Sequence, residues 1–207
     1  MAKTTKRTRR KKTLALAQNA ILTALIVLMA FTPIGYLQIG VVKMTFIMIP
    51  VAVGAITLGE KSGAFLGLVF GVTSFIQCFG LDLFGTTLFG INPVYTFIMC
   101  IVPRVLMGYL CGVTYKFIAR KKQKFALVFA SFLAPVLNTI FFMSLLMIFF
   151  GNSDYIQGIR NGAELWPFLV AFVGLNGVME VLTTTVIAPP VASAVKKAVK
   201  KKATVKK

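Results

Sequence analysis

Long apolar runs alternate with short polar connections along this chain, and its positive charge avoids every second connection. Of the 23 Lys and Arg residues, all but Lys43, Arg104 and Arg160 fall in or beside four places: the N-terminal run, the turns Glu60–Lys61 and Arg120–Lys124, and the C-terminal tail. Connections rich in Lys and Arg stay on the cytoplasmic side of a membrane. The asymmetry therefore predicts an even number of spans with both termini inside. The opposite connections hold only Lys43 and Arg160, against Asp82, Asp154 and Glu164.

The balance of side chains agrees, because 57% hydrophobic and 14% charged residues with a mean hydropathy of +0.85 cannot be buried in a single soluble core. The fold class read from the pattern is an all-α membrane protein with six transmembrane helices and cytoplasmic N and C termini. The helices are expected at Thr13–Thr32, Val41–Gly59, Ser62–Gly80, Pro93–Ala119, Phe125–Phe150 and Trp166–Val195. Residues 13–195 then form one transmembrane domain between basic cytoplasmic tails at 1–12 and 196–207. The basic start followed by an apolar run resembles a signal peptide. The run continues for the ~20 residues that a span needs, which reads as a retained first helix.

Most of the formal charge of +18 sits in those two tails, so it reads as topology anchoring and contact with lipid headgroups, with no nucleic-acid partner. Readers of DNA or RNA interleave aromatics or carry a basic helix in a soluble module. The chain has no histidine, which removes imidazole metal ligation and His-based acid–base chemistry, and no metal or cofactor is expected. Cys78, Cys100 and Cys111 fall inside apolar spans, where they read as small packing residues rather than a disulfide framework. Without a paired-acid motif or a serine beside a base, the chain does not read as an enzyme. The stretch Gly54-Ala-Ile-Thr-Leu-Gly59-Glu60-Lys61-Ser62 imitates a P-loop, but Glu60 adds a residue before the lysine and an apolar segment stands where a strand belongs. It reads as a helix-turn-helix connection, leaving the chain no nucleotide site of its own.

Small residues recur at four-residue spacing: Ala20 and Ala24; Gly63, Gly67 and Gly71; Gly108 and Gly112; Ala130 and Ala134. Such rows let two helix backbones approach closely, which suits packing inside the bundle. The first pair directly follows the basic tail, where a partner's helix could dock. Polar residues inside spans are costly and each needs a reason. Arg104 and Glu180 lie at similar depth, and an ion pair between them is the economical arrangement. Asn176 shares a helix face with Glu180, and Asn138 continues the Ala130–Ala134 face. Gln77, Thr73 and Lys43 could complete a polar patch that opens outward, although Lys43 also suits snorkelling to the headgroups.

Together these segments resemble the substrate-binding S components of energy-coupling factor vitamin transporters. The likeness is carried by Ala20-Ile-Leu-Thr-Ala24, Ile49-Pro50-Val-Ala-Val-Gly54, Leu58-Gly59-Glu-Lys-Ser-Gly63-Ala-Phe-Leu-Gly67, Val102-Pro103-Arg104-Val-Leu-Met-Gly108, Leu137-Asn138-Thr139 and Asn176-Gly-Val-Met-Glu180. The resemblance implies a six-helix bundle in a prokaryotic plasma membrane that captures a vitamin from outside. It further implies docking through Ala20 and Ala24 onto a membrane coupling subunit, with two ATPase subunits powering import. Asn138-Thr139, Asn176 and Glu180 look most like the pantothenate branch. A carboxylate, an amide and hydroxyls suit Arg104 or Lys43 with asparagines. The site residues expected on this reading are Lys43, Gln77, Arg104, Asn138, Asn176 and Glu180. A riboflavin-binding S component, stacking its ligand on Trp166, Tyr36 or Tyr95, is the alternative. So is an autonomous ion-coupled carrier, whose signature would be broken helices and a second acidic coupling residue at mid-depth, where the sequence offers only Glu180.

Overall fold

A computed structural model of the chain describes residues 2–39, 42–160 and 165–204. Eight helices and one short hairpin follow in the order α1 (Ala2–Ala30), a 3-10 turn (Pro33–Gly35), β1 (Tyr36–Ile39), β2 (Val42–Thr45), α2 (Met48–Leu58), α3 (Glu60–Gln77), α4 (Leu83–Ile91), α5 (Pro93–Ile118), α6 (Gln123–Phe150), α7 (Asp154–Arg160) and α8 (Leu165–Thr204). Among the described residues, four helical segments are long and apolar enough to cross a membrane: Lys12–Ala30, Pro93–Ile118, Gln123–Phe150 and Gly177–Val199. The basic N-terminal run is continuous with the first of them, so α1 extends without a break from Ala2.

The expected second span, Val41–Gly59, is shorter than its hydropathy suggested. Its first part pairs antiparallel with Tyr36–Ile39, Tyr36 opposite Thr45 and Ile39 opposite Val42, and only Met48–Leu58 is helical. At ~1.5 Å per residue those 11 residues reach about 16 Å, roughly half of a ~30 Å hydrocarbon layer. The run is mostly apolar, and its first part, Val42-Lys43-Met44-Thr45, alternates apolar and polar residues as a strand does. Two of the expected connections likewise hold short helices, α4 at Leu83–Ile91 and α7 at Asp154–Arg160. Asp82 caps α4 by accepting from Gly85 N at 2.9 Å, and Asn92 caps α5 by accepting from Val94 N and Tyr95 N.

Helices α3 and α5 make the most extensive contact in the molecule, and glycine explains why. A Cβ added at Gly63 would strike the Gly108 carbonyl, and one at Gly67 would strike the Arg104 carbonyl. At Gly71 it would come within 2.8 Å of the Cys100 carbonyl. These glycines keep two backbones in contact where any side chain would part them, which is the packing role expected of the rows in both helices. Ala130 and Ala134 of α6 are completely buried in the main core beside Ala188 and Ala192 of α8. Between α2 and α3 the chain turns at Gly59 with φ of 102°, a left-handed value that suits glycine. The P-loop lookalike is accordingly a joint between two helices.

Candidate substrate cavity

Opposite the Gly59 turn, a cavity of about 160 Å³ opens where the hairpin covers the ends of α3, α5 and α6. Its wall combines Tyr36 and Thr45 from the hairpin with Phe70, Ser74, Gln77 and Cys78 from the α3 side. Asp82, Phe84 and Gly85 come from the α4 segment, Met99, Cys100 and Arg104 from α5, and Phe142 from α6. The register that sets Tyr36 opposite Thr45 brings both to the wall. Tyr36 donates to Gln77 Oε1 at 2.8 Å, and Gln77 Nε2 donates to the Ala30 carbonyl, so one amide joins α1, α3 and the hairpin.

Arg104 dominates the electrostatics of this wall. Its guanidinium carbon lies 5.5 Å from the Phe70 ring centre and 5.0 Å from that of Phe142, and its Nη1 donates to the Met99 carbonyl at 2.8 Å. Each ring face contributes roughly 0.5–2 kcal/mol to holding a partly desolvated cation. The Nε atom is buried and has no partner. The ion pair expected between Arg104 and Glu180 does not form. Glu180 instead accepts from the backbone N–H of Thr45 at 3.2 Å, which ties α8 to the hairpin. Among the described residues no carboxylate sits within ion-pair distance of the guanidinium. The wall thus presents a positive group held by aromatic faces and a carbonyl, with hydrogen-bonding capacity to spare.

Of the residues expected from the sequence, the structure brings Gln77 and Arg104 together on this wall. Glu180 stands one contact behind it, through Thr45. Asn138 is buried on the face of Ala130 and Ala134, with Oδ1 unpartnered, and does not line the cavity. Phe142, one helical turn beyond Asn138, takes that place. The side chains of Lys43, Asn176 and Trp166 lie outside the described residues. Tyr95 stacks on Phe149 at 4.6 Å, away from the cavity. Phe70, Phe142 and the pair Cys78 and Cys100, whose Sγ atoms are 3.9 Å apart, had no distinguishing signal within apolar runs. Ala20 and Ala24 are exposed on α1, unlike the other small-residue rows, and Leu16 and Ile21 beside them are 69% and 68% exposed.

A bundle of apolar helices holding a small cavity, mostly apolar with a few polar groups and one arginine on its wall, is the architecture of a membrane-embedded solute-binding protein. Comparison with known proteins gives the particular family: residues 14–192 match the model for the ECF transporter, substrate-specific component, and the chain belongs to that family. It is a transport component, not an enzyme, and a multi-pass protein of the bacterial plasma membrane. The chain is 30% identical over 166 residues to the pantothenic acid transporter PanT of Lactococcus lactis subsp. cremoris (strain MG1363), covering 76% of this chain and 80% of the relative. It is also 30% identical over 187 residues to the pantothenate transporter PanT of Leuconostoc mesenteroides subsp. mesenteroides, covering 85% and 89%.

Proposed function

We propose that this chain captures pantothenate from outside the cell and presents it for ATP-driven import by partner subunits. The observation that carries this reading is Arg104, a cation on the cavity wall that has no carboxylate within ion-pair distance among the described residues. A ligand carboxylate would supply the missing counter-ion. Tyr36, Ser74, Gln77 and Thr45 offer the donors and acceptors that an amide and two hydroxyls require. Asn138 and Glu180 then support the wall from behind, while Lys43 and Asn176 remain candidates for its rim. About 160 Å³ suits an extended acyclic vitamin better than the three fused rings of riboflavin.

The charge asymmetry supports six spans with both termini cytoplasmic, α2 with its hairpin and α3 supplying the two crossings beyond the four long helices. In that arrangement residues 13–195 form the substrate-binding domain between the tails 1–12 and 196–207. The exposed Ala20 and Ala24 face would dock onto a membrane coupling subunit, with two ATPase subunits completing the transporter. Calorimetric titration of the detergent-purified protein with a panel of vitamins tests the substrate assignment: pantothenate should bind and riboflavin should not. Binding of riboflavin alone would overturn it. Gradient-driven accumulation of pantothenate by vesicles holding only this chain would favour an autonomous carrier instead.

A further inference from the structure

The cavity arginine directly follows a proline inside α5, and the proline accounts for where the arginine reaches. Pro103 has no backbone N–H, so the carbonyl four residues earlier, at Met99, loses its intrahelical donor. The pyrrolidine ring also crowds that carbonyl and turns it off the helix ladder. Met99 is 2% exposed, so water does not readily supply a replacement, and a buried carbonyl without a donor is unfavourable. Arg104 Nη1 fills the vacancy at 2.8 Å. The backbone of Arg104 is fixed as well, because its carbonyl packs where a Cβ at Gly67 would otherwise stand.

We propose that Pro103 is a positioning residue for substrate recognition. By freeing the Met99 carbonyl it anchors one end of the Arg104 guanidinium and leaves the remaining N–H groups on the cavity wall for an anionic group of the ligand. The inference rests on the reading of Arg104 as the carboxylate anchor. Any other residue at position 103 restores an N–H four residues after Met99. That donor returns the carbonyl to the helix ladder, and the guanidinium loses its fixed bond and becomes free to swing between Phe70 and Phe142.

The test compares pantothenate with pantothenol, the neutral alcohol analogue that lacks the carboxylate, by calorimetry on wild type, P103A, P103V, R104Q and P103A/R104Q. In P103A, pantothenate should bind about tenfold more weakly, the effect of losing one orienting hydrogen bond to a charged group. Pantothenol should shift by less than about twofold, and the double variant should be no weaker than R104Q alone because both changes act through one group. Equal weakening of the two ligands would show that Pro103 shapes the bundle generally and would overturn the proposal. So would wild-type pantothenate affinity in P103A beside a defective R104Q, an outcome that leaves the role of Arg104 intact. Wild-type affinity in R104Q, by contrast, removes the carboxylate anchor itself. P103V supplies the same N–H with a different side chain, so it decides the matter if P103A does not fold, and disagreement between two folded variants also counts against the proposal.

Discussion

The two ends of this bundle are built on opposite rules. At the end carrying the Gly59 turn and the Arg120–Lys124 turn, small residues bring backbones together: Gly63 lies against Gly108, Gly112 against Glu60, and Ala130 and Ala134 sit near Ala188 and Ala192. At the hairpin end the helices are interrupted, and short pieces such as α4 stand off from the long ones far enough to leave a cavity. Close packing gives one fixed arrangement, whereas the looser end trades contact for a surface that a solute can complete. On the proposed reading of the cavity, stability and recognition belong to different ends of the same helices, and α3 and α5 take part in both.

The sharpest way to break this division is at the α3–α5 contact. Gly67→Leu forces a side chain into the Arg104 carbonyl, with backbone on both sides unable to give. We expect a loss of at least about 3 kcal/mol, at or beyond the upper range for overpacking, and little folded protein by size-exclusion and thermal melting. A melt close to wild type would mean that the two helices are free to separate. Ala24→Trp is expected to divide the functions instead, since Ala24 is exposed. Vitamin binding should persist while uptake by the complete transporter is lost, measured with labelled vitamin in cells.

At the hairpin end, Arg104→Gln should weaken pantothenate by about 1.5–3 kcal/mol, the range for a hydrogen bond to a charged group, with a modest drop in the melt of the empty protein because the buried Met99 carbonyl loses its donor. A large drop in that melt would return Arg104 to a structural role. Asn138→Leu is a smaller test, for the orphaned Oδ1 predicts a melt that is unchanged or raised by about 1 kcal/mol. Weaker vitamin binding without that rise would move Asn138 into the site.

The smallest effect is expected at the Gly59 turn, where exposed Lys116 donates to Glu60 Oε1 at 2.7 Å and lowers the carboxyl below its ordinary range. A depressed folded value means that the contribution is present above the ordinary carboxylate range and is lost as pH falls through the lowered value. Because the pair is exposed, Lys116→Ala should leave the melt at neutral pH almost unaltered. The difference from wild type should vanish in acid.

The packed end was largely legible in the sequence because its signal is local. Glycine and alanine at four-residue spacing declare a helix face whatever lies opposite, and Gly63, Gly67 and Gly108 behave as that spacing implies. The cavity was half legible. Arg104 and Gln77 stood out as polar residues in apolar surroundings, yet the pairing of Arg104 with Glu180 was inferred from depth alone. Depth along a helix says nothing of azimuth, and Glu180 turned to the Thr45 N–H. The hairpin was missed because the alternation in Val42-Lys43-Met44-Thr45 is only four residues long and runs directly into the apolar stretch after it, so that averaged hydropathy merges the two into one span. Phe70 and Phe142 look like any lipid-facing phenylalanine until a cation is placed between them.

Helix α1 carries Ala20 and Ala24 on its exposed stretch, and near its far end its Ala30 carbonyl accepts from Gln77 on the cavity wall. If the cavity is the solute site and the exposed stretch is the dock, the rod between them is a lever. If solute changes the Gln77 bond, it changes the free energy of tilting the rod, and a protein gripping the exposed stretch feels that change. The coupling runs equally in reverse: whatever factor occupancy contributes to affinity at the exposed stretch, engagement there returns to the affinity for solute, so a partner that prefers the loaded form must also slow the solute's escape or speed its entry.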